Sequence, residues 1–251
     1  MTIALTALKE KIRRKELYIV SVIGTLILIF FGTGSGSISI NGEAITDYKI
    51  LAPILLIVVN AISCILAVIM SLGTIPNEYE RNTSHLVWIR KIPQYRYHGE
   101  LALANVFSGL ISEAILFCAM LIFMITNGKA DELFRLIPAY LIVGINVTIV
   151  SVMTSALSIV IPKFAVGAIA AAATLIGIFS SLLATLKDII GGFGGVMVKY
   201  ALKIIPNLHG IQSEAANALC GKDVDIHVIL TGLLAVYVFI ALILVLKRKE
   251  A

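Results

Sequence analysis

Apolar residues in this chain come in runs of about 15 to 26, separated by short polar stretches. The runs cover residues 17–31, 50–75, 101–126, 136–161, 164–186 and 226–246. An α-helix rises ~1.5 Å per residue, so about 20 apolar residues cross a ~30 Å hydrocarbon core. Five of the runs reach that length, and the first is short enough to borrow from its flanks. In hydrocarbon every backbone polar group must be paired within the chain, and continuous apolar runs do this as helices. A barrel would need short alternating segments instead. The pattern therefore predicts an all-α, polytopic membrane protein with six spans in a single transmembrane domain covering residues 1–251.

The polar stretches have patterns of their own. In residues 1–16, Leu5, Leu8 and Ile12 recur at helical spacing among Lys9, Lys11, Arg13, Arg14 and Lys15. This predicts a basic amphipathic helix lying flat on the bilayer surface. Residues 32–37 (GTGSGS) read as a flexible loop, residues 127–132 as a polar turn, and Pro162-Lys163 as a tight link between the fourth and fifth spans. The connection 187–225 is long. Its glycines at 191–195 are expected to break any helix. The apolar 196–205, carrying Lys199 and Lys203, is either a short helix dipping into the outer leaflet or an interfacial surface helix.

Composition agrees with a membrane protein: 59% of residues are hydrophobic and 14% charged, with mean hydropathy +0.99. The net charge of +5 would suggest nucleic acid in a soluble chain. Here the cations flank the runs, and no nucleic-acid partner is expected. With the N-terminus inside, 13 of the 20 Lys and Arg fall in segments 1–16, 76–100, 162–163 and 247–251. That excess predicts that both termini lie in the cytoplasm. The basic start and first run resemble a signal peptide, but they lack a small-x-small cleavage site, so a retained span is expected.

Candidate chemistry is sparse. There is no phosphate-binding loop, no HExxH, no GxSxG and no metal-spaced His/Cys cluster, so the chain is not expected to be an enzyme or to hold a metal. Cys64, Cys118 and Cys220 read as packing residues. The four histidines, His85, His98, His209 and His227, read as solvated. Glu113 is the one carboxylate deep in a span, where charge is costly and marks an interior or wet position. Asn105, Ser108, Ser112 and Glu113 share a face of the third span. Thr148, Ser151, Ser155 and Ser158 stripe the fourth. These two stripes either line a translocation path or hydrogen-bond helices together. Asn60 or Asn146 is the expected partner of Glu113. In the fifth span Gly167/Ala171 and Ala173/Gly177 are small-xxx-small pairs, suited to a dimer seam or to packing within the chain.

The most polar long segment is 76–98, with Glu78, Glu80, Arg81, Arg90, Lys91 and Arg96, three Tyr and the single Trp. It resembles the loop between the second and third spans of ABC-2-type transporter permeases. That family has an acidic residue, Gly-Thr, an apolar helix, then Pro with Arg three residues on. The matching residues are Glu80, Asn82-Thr83, Leu86-Val87-Trp88, Pro93 and Arg96. Asn stands for the usual Gly, a mild departure because Asn tolerates left-handed backbone. The order of elements along the full length is similar too. The resemblance implies the membrane subunit of an ABC exporter, with loop 76–100 carrying a cytoplasmic coupling helix. A separate ABC ATPase subunit, which would hold ATP and Mg, would dock on it. Glu80, Arg81, Thr83, His85, Trp88 and Arg90 are the implied docking residues. Asn105, Ser108, Ser112, Glu113, Ser151 and Ser155 would line the path. A second permease copy or a paralogue would pair with the chain, Gly167, Ala171 and Gly177 being candidate packing positions. The cargo would be an amphipathic or hydrophobic peptide, antibiotic or lipid-like molecule. Two readings compete: a proton-coupled secondary transporter using Glu113, and a membrane scaffold or sensor that moves nothing.

Overall fold

A computed structural model describes residues 2–13, 16–32, 39–40, 43–44, 48–80, 89, 91–190 and 192–247. Five of the docking residues, Arg81, Thr83, His85, Trp88 and Arg90, lie outside these. The described residues are almost entirely helical, joined by one two-residue antiparallel ladder pairing Ser39 with Ala44 and Ile40 with Glu43. In chain order the helices are α1 (Thr2–Arg13), α2 (Glu16–Gly32), α3 (Tyr48–Leu72), α4 (Thr74–Glu80), α5 (Gln94–Thr126), α6 (Leu136–Val160), α7 (Lys163–Ile178), α8 (Ser180–Ile190), α9 (Gly192–Ile204), α10 (Leu208–Leu219) and α11 (Ile226–Val245), with a 3-10 turn at Ala130–Arg135 before α6.

Four helical stretches are long and apolar enough to cross a membrane: Lys49–Glu80, Gln94–Thr126, Ala130–Val160 and Ile226–Val245. The segments expected as first and fifth spans are shorter. Helix α2 has 17 residues. The expected span 164–186 divides into α7 and α8 at Phe179, whose φ of −97° and ψ of 22° interrupt the helix.

Helices α3, α5 and α6 form the centre of the bundle and pack pairwise on one another. Gly109 sets the approach of α5 to α6. A Cβ there would stand 2.9 Å from Val147 Cγ1 and 3.1 Å from Ser151 Oγ. Helices α1 and α2 follow α5 in the same direction. Glu100 holds the start of α1, Lys11 reaches Asn105 and Ser108, and Gly24 lies beside Leu116.

Several boundaries move. The polar loop expected from residue 76 begins only after Glu80, because α4 continues α3 past a turn at Gly73. At the far side α5 starts at Gln94, not 101. Pro93 is its N-cap, and its φ of −70° suits a residue that leads into a helix while lacking a donor. The turn after α5 closes through Gly128, at φ 69°, with Lys129 N–H donating to Met124 O, a helix end that glycine favours.

The connection before α11 differs most. Its glycines do not bend it over their whole length: α9 runs through Gly192–Gly195, and Gly191 alone lies outside the described residues. Val196, Met197, Tyr200 and Ile204 are exposed. The segment that enters the bundle is α10, whose Leu208, Ile211, Ala215 and Leu219 are buried against α3 and α6. Asn207 caps it, accepting from Gly210 N–H at 2.9 Å.

The small residues of α7 serve this chain's own packing. A Cβ at Gly167 would meet Leu72 Cδ2 at 3.2 Å, and one at Gly177 would meet Leu208 Cγ at 2.9 Å. Ala171 is half-buried. At both glycines α7 packs on this chain's own α3 and α10.

Candidate functional site

A column of polar side chains runs through the interior of α3, α5 and α6. At one end stands Lys11. On α1 the inward stripe is Ala4 and Lys11, both buried, with half-buried Ala7 between them, while Leu5 and Ile12 of the expected apolar stripe are 54% and 45% exposed. The exposed face of α1 carries Leu5, Thr6, Lys9, Ile12 and Arg13, and its inner face ends in an amine. Lys11 is 7% exposed, and its Nζ donates to Met70 O at 2.6 Å, Asn105 Oδ1 at 2.6 Å and Ser108 Oγ at 3.2 Å. An ammonium has three protons to place, and a buried one without acceptors would be strongly disfavoured. The expectation of a helix with all its cations turned to water or lipid headgroups fails at this residue for that reason.

Asn105 organises this layer. Its Oδ1 also accepts from Thr74 Oγ1 at 2.7 Å, and its Nδ2 donates to Ser155 Oγ at 2.8 Å. Ser155 in turn donates to Ser151 O, and Ser112 to Ser108 O, the back-bonding that lets hydroxyls sit inside apolar helices. Asn105, Ser108, Ser112, Glu113, Ser151 and Ser155 are all buried, so the structure brings the six candidate path residues of α5 and α6 into one interior.

Eight residues beyond Asn105, about 12 Å along α5, lies Glu113. It has no exposed surface, and neither carboxyl oxygen has a hydrogen-bond partner. Its Oε2 stands 3.4 Å from the place a Cβ of Gly144 would occupy, so that glycine makes the room. The expected partners are engaged elsewhere. Asn146 Nδ2 donates to Asn60 Oδ1 at 3.2 Å and to Leu208 O at 3.0 Å, and Asn60 Nδ2 donates to Gln212 Oε1 at 2.6 Å. This second cluster ties α10 to α3 and α6 and forms the other end of the column.

The polar segment between α4 and α5 is anchored where it leaves the bundle. Tyr97 OH donates to Glu78 Oε2 at 2.9 Å, and Tyr79 OH lies 2.7 Å from His98 Nε2. His98, expected in solvent, is fully buried. Glu100, two residues on, accepts from Ile3 N–H at 3.0 Å and Ala4 N–H at 3.4 Å. A carboxylate at a helix N-terminus satisfies orphan donors and meets the positive end of the helix dipole. Glu80, the one described docking residue, is exposed at the end of α4.

Lys11, Thr74, Gln212 and Glu100 were not singled out as site residues from the sequence. For Lys11 a signal existed: it lies at i+7 from Ala4 and i+4 from Ala7, on the small-residue face. No three or more His, Cys, Asp or Glu cluster to hold a metal among the described residues. Comparison of the chain with known protein families, with characterised proteins and with solved structures finds no match.

Proposed function

We propose that this chain is the membrane-spanning permease subunit of an ATP-driven exporter of the ABC-2 type. It moves an amphipathic or hydrophobic cargo outward and is energised by a separate ATPase subunit docked on loop 76–98. The observation that carries the reading is the join between that loop and the polar column. Glu78 and Tyr79 on one side of the loop hold Tyr97 and His98 on the other. The helices so clasped, α3–α4 and α5, are the ones that supply Met70, Asn105, Ser108 and Glu113 to the column. A force applied to the loop would reach the column through two short helical segments, and a permease driven from outside needs that linkage. The mixed-charge loop with its Trp and Arg residues suits an interface, since those types anchor many of them.

The experiment is purification of the tagged chain from native membranes in mild detergent, with mass and ATP-hydrolysis assays of what accompanies it. A stoichiometric ATPase whose binding or hydrolysis is lost in Arg90→Glu or Trp88→Ala, the protein remaining folded, supports the proposal. A chain that arrives alone and inert refutes it. One observation favours a second reading: the unpartnered Glu113 suits a proton-coupled transporter. Gradient-driven transport in liposomes without ATPase, lost in Glu113→Gln, would establish that reading.

A further inference from the structure

We propose that the oxygen cage around Lys11 is a binding site for a primary ammonium group on the cargo, and that Lys11 is the chain's own occupant of that site. The inference rests on the column being a path, and it names the cargo class: an amphipath carrying a primary amine.

The cage has the chemistry of an ammonium receptor. Met70 O, Asn105 Oδ1 and Ser108 Oγ are three acceptors from two helices, at 2.6, 2.6 and 3.2 Å from one nitrogen. Met70 lies in the last turn of α3, which ends at Leu72. The Met70 carbonyl also accepts from Thr74 Oγ1 at 3.2 Å, and carbonyls near the end of a helix carry the negative end of its dipole, which favours a cation. Asn105 is held with its oxygen toward the amine because its Nδ2 is used by Ser155.

The cage has an approach. A cavity of about 320 Å³ opens onto Lys11, Met70 and Thr74 and is also lined by Glu10 and Glu78. The cavity's other cation, Lys163, donates to Asn77 Oδ1 at 3.2 Å. Inward of the cage the column presents acceptors. Both oxygens of Glu113 and Asn146 Oδ1 are buried without a partner. Glu113 is five residues beyond Ser108, about 7.5 Å along α5. An ammonium leaving the cage inward meets oxygen lone pairs and a carboxyl group. A phosphate or carboxylate cargo would meet the same lone pairs unfavourably.

The test empties the cage and refills it. Lys11→Ala keeps Cβ and removes a propylammonium-sized piece of the side chain. Wild type and variant are purified in phosphatidylcholine nanodiscs and melted with propylammonium, with 1-propanol of the same shape, or with tetramethylammonium, which has charge but no N–H. Propylammonium at about tenfold its Kd is expected to raise the unfolding midpoint of Lys11→Ala by roughly 3 °C or more, and the other two to leave it unchanged. Adding Asn105→Leu should abolish the rise. Equal responses to all three solutes, or a rise that survives Asn105→Leu, overturn the proposal. If Lys11→Ala does not fold, the wild type carries the test. Propylammonium competing with Lys11 should speed tryptic cleavage after Lys9, and tetramethylammonium should not. Equal cleavage under both salts overturns the proposal. None of these readings involves an ATPase. A failed amine response with an ATPase still co-purifying removes the ammonium site and leaves the permease reading. An amine response in a chain without ATPase does the reverse.

Discussion

Lys11 Nζ donates to Asn105 Oδ1 at 2.6 Å across 94 residues of sequence, inside the protein. The pair joins the first helix to the central one. Asn105→Leu is expected to destabilise the protein by about 1–3 kcal/mol, because it removes one of the three acceptors that hold a buried ammonium. Adding Lys11→Met should recover part of that loss, since an apolar pair of similar volume leaves no charge unmatched. Thermal unfolding of both singles and the double checks this, and additive losses would refute it.

The approach of α5 to α6 depends on Gly109. A methyl group there meets Val147 and Ser151 side chains at 2.9 and 3.1 Å, so Gly109→Ala is expected to cost about 1–3 kcal/mol. Gly144→Ala, with its nearest neighbours at 3.3 and 3.4 Å, should cost less. Unfolding midpoints that place the two in the opposite order would contradict the packing described.

Gln212 accepts from Asn60 in the cluster that holds α10 within the bundle. Gln212→Leu leaves that buried donor unmatched, at about 1–3 kcal/mol. Helix α10 should then loosen before the rest. A cysteine placed at Ala215, buried in the native chain, should react with a water-soluble maleimide faster in the Gln212→Leu background. Unchanged labelling would show that apolar packing alone holds α10.

The clasp across the polar segment includes the Tyr97–Glu78 and Tyr79–His98 hydrogen bonds. Tyr79→Phe and Tyr97→Phe should each cost about 1 kcal/mol. Amide exchange should rise at the start of α5, near residues 97–100, and stay unchanged at Glu113. Under the exporter reading the double variant should also keep its ATPase while transporting less per ATP. Normal exchange in the double variant would remove the clasp.

Residue pattern alone determined the helical class and where the long apolar helices lie. Runs of apolar residues longer than a soluble core uses can satisfy their backbone only as helices, and α3, α5, α6 and α11 lie where those runs lie. The buried polar face of α5 was legible too, since Asn105, Ser108, Ser112 and Glu113 recur at helical spacing. Tertiary structure decided what those residues face. Lys11 reads as a surface charge until Met70 O, Asn105 and Ser108 are brought to it from distant helices. Asn60 and Asn146 turn to Gln212 and Leu208 O because α10, not the segment 196–205, enters the bundle. Gly167 and Gly177 receive Leu72 and Leu208 of the same chain. Periodicity records which side of a helix is polar or small. The partner on that side is chosen by the packing of segments far apart in the chain, where one buried amine with three acceptors outweighs the local preference of a lysine for water.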